Sequence, residues 1–107
     1  MKKHEVKTIN SNTHVNLTDI KDFLPIGSIV RLAINKQKYM IYGIAQSESA
    51  KHDKYFDYIA VEYPEGSFVA CNTILFNHND ISDILHRGYV DDEYQNYIDM
   101  IAACQNM

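Results

Sequence analysis

Apolar and polar positions alternate with a period of two through the middle of the chain and recur near every 3.6 residues toward its end. In "SIVRLAI" (28–34), Val30, Leu32 and Ile34 alternate with Ile29, Arg31 and Ala33, as in a half-buried strand. The polar turn "NKQ" (35–37) follows. "KYMIYGIA" (38–45) then returns as a second strand rich in aromatic and β-branched residues, so the pair predicts a hairpin. "SESAKHDK" (47–54) reads as a polar loop, and "YFDYIAVEY" (55–63) as a third strand. Tyr63-Pro64-Glu65-Gly66 has the chemistry of a type I turn, because proline presets the second position and glycine relaxes the fourth. "SFVACNTILF" (67–76) carries one or two further short strands.

The pattern then predicts helix. In "ILFNHNDISDIL" (74–85), Asn77 fits an N-cap and Asp80 the N3 position, which is the spacing of a capping box. Phe76 and Ile81 fit a hydrophobic staple, and Ile81, Ile84 and Leu85 form an i, i+3, i+4 stripe. Gly88 then suits a left-handed C′ residue, with Ile84 and Tyr89 as the apolar pair of a Schellman ending. "VDDEYQNYIDMIAAC" (90–104) predicts a second helix, capped by Asp91 or Asp92, with Tyr94, Tyr97, Ile98 and Ile101 at helical spacing. Upstream, Thr18 can cap a short helical turn that brings Ile20, Phe23 and Leu24 to one side before Pro25 ends it.

The expected fold is α+β. A small twisted antiparallel sheet of three to five strands, able to close in part as an SH3-like barrel, packs with two C-terminal helices. Residues 1–15 are polar and expected to be weakly ordered, and 16–107 form a single domain.

Composition adds exclusions. The 107 residues are 46% hydrophobic and 22% charged, which argues against wholesale disorder. A domain of this length needs no disulfide or metal to fold. A net charge of -4 with scattered Lys and Arg offers no basic face for nucleic acid. No apolar run reaches the length of a membrane span, and no hydrophobic leader follows Lys2 and Lys3, so a cytoplasmic location is expected. Cys71 and Cys104 form no motif and read as reduced thiols, with Cys104 available for helix packing.

Candidate chemistry is sparse. His4, His14, His52, His78 and His86 lack the close, repeated spacing of a zinc site. No GxSxG, P-loop or GxGxxG occurs. No catalytic, cofactor or metal residue is therefore assigned. The enzyme alternative is a small hydrolase or ligand-binding site near Cys71, His78 and Glu65. Eight tyrosines beside no tryptophan are more informative. Tyr39 and Tyr42 fall on opposite faces of the second strand, and Tyr58 alternates with Ile59 on the third. Tyr39, Tyr42 and Tyr58 are the candidate protein-binding residues, unless helices cover both faces of the sheet.

"LPIGSIVRL", "KYMIYGI", "DYIAVEYPEG", "LFNHNDI" and "GYVDDEYQNY" resemble, in that order, a family of small Firmicute proteins defined as a domain of unknown function. The resemblance covers about residues 23 to 98. Genes of that family often lie in clusters encoding LXG-type toxins and type VII secretion machinery. The resemblance therefore implies a non-enzymatic accessory, a chaperone or adaptor for an LXG-type toxin, with no catalytic residues to carry over. It leaves open an immunity protein against a cognate toxin, and also a homo-oligomer.

Overall fold

A computed structural model describes residues 6–8, 22–47, 55–67 and 72–105. Its strands are β1 (Val6–Thr8), β2 (Ile29–Leu32), β3 (Lys38–Ser47), β4 (Tyr55–Glu62), β5 (Thr73–Phe76) and β6 (Ile81–His86). One helix, α1 (Asp92–Gln105), follows them. The strands form one open sheet in the order β1-β5-β4-β3-β2-β6. β2 to β6 pair antiparallel, and the short β1 adds to β5 in parallel. The fold is thus α+β, but with one C-terminal helix instead of two and a sheet that stays open instead of closing as a barrel. β1 falls within the segment expected to be weakly ordered. The helical turn expected at Thr18 and the loop at 48–54 lie outside the described residues.

The three middle strands form where alternation placed them, because cross-strand pairs on one face can all be apolar. Val30 pairs with Tyr39 and Ile41 with Ala60, all buried. A bulge then interrupts β3: Ile41 faces Ala60 but Gly43 faces Ile59, so Tyr42 is the extra residue. This lets Tyr39, Ile41 and Ile44 all reach the core at spacings of two and three. Gly43 is needed there, since a Cβ would lie 2.6 Å from Cγ2 of Ile59. α1 covers the same face with fully buried Ile98, supported by Tyr94, Ile101 and Ala102. Each side chain sealed in this way contributes about 1.5–3 kcal/mol. Asp91 caps the helix, accepting from Tyr94 N–H at 3.0 Å through Oδ1.

The predicted helix at 78–87 does not form. His78–Asp80 make one 3-10 turn, and β6 then pairs with the outer edge of β2. The capping box survives on this turn, with Asn77 at the N-cap and the Asp80 carboxylate accepting from Asn77 N–H at 2.8 Å, but no α-helix follows it. The physical reason lies in two bulges. Ile81 faces Leu32, Asp83 faces Arg31, Ile84 faces Val30 and His86 faces Ile29, which leaves Ser82 and Leu85 as extra residues. Ile81 packs against the core while Ile84, three residues on, is exposed, so their spacing imitates a helical stripe without making a buried face. A run containing two isoleucines, serine and aspartate has little helix propensity to resist the unpaired edge of β2.

Gly88 is likewise required for a different reason. The glycines with positive φ are Gly27 (95°) and Gly66 (66°). Gly88 instead packs against the chain at Ile26, where a Cβ would lie 2.1 Å from the Ile26 carbonyl oxygen. The Tyr63–Pro64 peptide is cis, and the turn closes through Gly66 N–H donating to Glu62 O at 2.7 Å rather than as the expected type I turn.

Candidate functional site

The sheet places the three candidate tyrosines differently. Tyr39 is 2% exposed and Tyr58 0%, whereas Tyr42, the bulge residue, is 44% exposed. Tyr39 and Tyr58 are core residues because they share the face that α1 and the segment at Phe23 and Leu24 cover. Their hydroxyls have internal partners: Tyr39 accepts from Asn35 Nδ2 at 3.0 Å. Only Tyr42 of the three presents a free aromatic surface.

Tyr58 instead centres a buried polar cluster. Its hydroxyl accepts from Leu24 N–H at 2.9 Å and lies 2.7 Å from Nδ1 of His78. Its ring packs on Phe23 and Phe76 at centroid distances of 5.4 and 5.5 Å. Next to it, Asp57 is buried and accepts from His78 N–H through Oδ2 at 2.9 Å. Asp57 N–H donates to Oδ1 of buried Asn77 at 3.0 Å. The Asn77 side chain thus ties β4 to the 3-10 turn at whose N-cap it sits. Burial raises the Tyr58 phenol well above the ordinary tyrosine range, a push that the Leu24 bond only partly opposes. Burial raises Tyr94 as well.

The opposite end of the β4–β5 hairpin holds Glu65, exposed in the turn. β5 separates it from His78, and four strand residues span roughly 13 Å. Glu65 and His78 are therefore not brought together, and Cys71 lies outside the described residues. At this end Asn72 donates to Gly66 O through Nδ2, at 2.5 Å. The Asn72 Oδ1 and Thr73 Oγ1 atoms are buried without a partner among the described residues. Among those residues no three His, Cys, Asp or Glu gather as a metal site.

The conspicuous outer feature is apolar. Tyr89 is 81% exposed, Met100 56%, and Ile84, Leu85, Val90 and Tyr97 are also exposed. They run from β6 through 87–90 onto α1, where Glu93, Tyr97, Met100 and Cys104 share a stripe at i, i+4, i+7, i+11. Cys104, expected to pack, is exposed on that stripe. Residues 72–105 carry six acids (Asp80, Asp83, Asp91, Asp92, Glu93, Asp99) against Arg87 alone, a net -5 where the whole chain is -4. The surface is thus apolar with acidic flanks. Sequence reasoning missed it because Ile84, Leu85 and Tyr89 were absorbed into a helix and its ending.

An open, mainly antiparallel sheet with one covering helix and a polar cluster around Tyr58 makes up a small α+β domain. The model of the family described as a domain of unknown function, DUF4176, matches residues 23–97, which is 75 of the 107 residues, and the chain belongs to that family. No curated protein and no solved structure matches the chain. Among the described residues no helix is long and apolar enough to cross a membrane.

Proposed function

We propose that the protein is a non-enzymatic, cytoplasmic accessory of type VII secretion that binds an LXG-type toxin as its chaperone or adaptor. The observation that carries this reading is the uncovered strip of Ile84, Leu85, Tyr89, Val90, Tyr97 and Met100. Large exposed apolar side chains concentrated in one stretch of chain, residues 84–100, are candidates for an interaction site. Tyrosine and methionine are the residues that interfaces enrich. The resemblance to LXG-associated proteins supplies the class of partner. The acidic flanks at Asp91, Asp92 and Asp99 suit a docking segment whose apolar residues are bordered by Lys and Arg. The interface is centred on this strip, with exposed Tyr42 the remaining candidate from the sheet.

Co-expression with the LXG-type toxin encoded beside its gene, followed by affinity purification and gel filtration, tests the reading. A stable complex with the toxin's secretion segment supports an adaptor. Binding confined to the toxic domain would replace it with the immunity reading. A self-dimer that recovers no toxin would make the strip a contact between copies.

A further inference from the structure

The helix α1 has two sides of different character. Ile98 is fully buried, and Tyr94, Ile101 and Ala102 pack beside it. Successive residues of a helix turn by about 100°. Tyr97, Met100 and Cys104 therefore lie roughly 200–260° round the axis from Ile98, and all three are exposed. Their spacing of three and then four residues is that of a heptad seam, which accepts the side chains of a second helix. Asp92 and Asp99 form the next row, roughly 100–120° from Ile98, with exposed Asn96 and Ala103 between them and the seam. The outer side of α1 is thus a short apolar seam with a small polar shoulder and an acidic border.

We infer that the partner docks on this side of α1 with one basic, amphipathic α-helix. The inference rests on the partner-binding reading above and adds its mode. An added β-strand needs a row of free backbone N–H and C=O groups, and the middle of a helix spends its own internally, so α1 offers a partner only side chains. Ridges of a second helix fit such a surface, and the short side chains of Asn96 and Ala103 let its backbone come close on one side. Charge then selects the occupant. α1 contains Asp92, Glu93 and Asp99 and no Lys, Arg or His. A second copy of the chain would lay one acidic helix on another, which like-charge repulsion disfavours. The occupant that fits carries apolar residues at i, i+3 and i+7 for Tyr97, Met100 and Cys104. Along one border it carries Lys or Arg at a repeat of seven, to match Asp92 and Asp99 about 10 Å apart.

Exposed Cys104, on the seam, reports its occupancy in the unaltered protein. The rate at which iodoacetamide alkylates it is read by peptide mass spectrometry, which separates it from Cys71. In the complex with the co-expressed LXG-type toxin the rate should fall at least about tenfold. A benzophenone probe attached to Cys104 should then cross-link to toxin residues three, four or seven apart. A toxin complex that leaves Cys104 as reactive as in the free protein overturns the docking mode while the accessory reading stands, and so do cross-links spaced by two. If no toxin complex is recovered, that reading fails and a synthetic probe decides the site by itself. The probe is a helical peptide of Leu, Ala and Lys, about five turns long, with Leu at i, i+3 and i+7 and Lys at a repeat of seven along one border. It should protect Cys104 saturably, and the same peptide with Glu for each Lys should bind at least about tenfold more weakly. No protection by the Lys peptide, or equal affinity for the two, then overturns the inference. A dimer in sedimentation whose formation protects Cys104 in the protein alone overturns it in favour of a second copy.

Discussion

The cluster around Tyr58 and the strip around Tyr89 invert each other. In the first, a phenol, an imidazole, a carboxylate and an amide sit inside the fold, each with a named partner. In the second, six apolar side chains sit outside it uncovered. Burying polar groups is tolerable only when they are paired, so the first region ties Leu24, β4 and the 3-10 turn into one arrangement. Leaving apolar groups in water gains nothing for folding, and the second region is the one that the proposed binding role uses. The residues that look chemical in the sequence hold the domain together, and those that look like ordinary core are free to meet a partner.

The comparison breaks most readily at Tyr58. Tyr58→Ala removes a fully buried ring and strands Leu24 N–H, so it should cost about 3–5 kcal/mol, close to the whole stability of a small domain. Tyr58→Phe keeps the ring and should cost about 1–3 kcal/mol. Denaturant melts of the two separate ring from hydroxyl. The raised phenol adds a pH dependence. A group whose folded pKa lies above its unfolded value loses stabilising effect as pH rises, so stability should decline above about pH 10, where the unfolded tyrosine ionises. A fall in Tm above that pH that is smaller in Tyr58→Phe checks the sign.

Gly88→Val comes next. Its Cβ would collide with the Ile26 carbonyl, and the expected loss is about 2 kcal/mol or more by thermal melt. Gly88→Asn sharpens the cause. A left-handed residue would tolerate asparagine, whereas the collision penalises it too.

Asn77 separates the two accounts of its segment. A helix N-cap would accept Asn77→Asp at almost no cost. Here the side chain receives Asp57 N–H and lies near the Asp57 and Asp80 carboxylates, so Asn77→Asp should destabilise by about 1–2 kcal/mol. That loss should shrink as acid protonates the new carboxyl. Equal melting temperatures for the two proteins would restore the capping role.

The smallest effect belongs to the far end of the β4–β5 hairpin. Thr73→Val removes a buried hydroxyl that has no partner among the described residues and should be neutral or stabilising by up to about 1 kcal/mol. A clear loss of stability would show that the hydroxyl is bonded after all.

Much of the fold was legible. β2 follows period-two alternation, β3 does so up to its bulge, β4 was recognised as a strand although both its faces are largely buried, and α1 follows its acidic cap and its helical stripe. The segment at 81–86 was not, because two bulges reset the alternation and turn strand into apparent helix. Tyr58 was nominated for the surface because alternation says which residues share a face but not which face is covered. One signal did point inward: Asp57 is an acid within the apolar run "YFDYIAV", and a charge there folds only if partners await it. Those partners, Asn77 and His78, lie 20 and 21 residues away, a distance that local pattern cannot bridge.

The most direct test of the proposed role uses the outer strip alone. Tyr89→Ser combined with Met100→Ser changes two exposed side chains, so melting should stay within about 0.5 kcal/mol of the parent at each site. Affinity for the co-purified LXG-type toxin, measured by calorimetry, should fall at least tenfold, about 1.4 kcal/mol. A double variant that melts normally and binds the toxin with undiminished affinity would contradict the account.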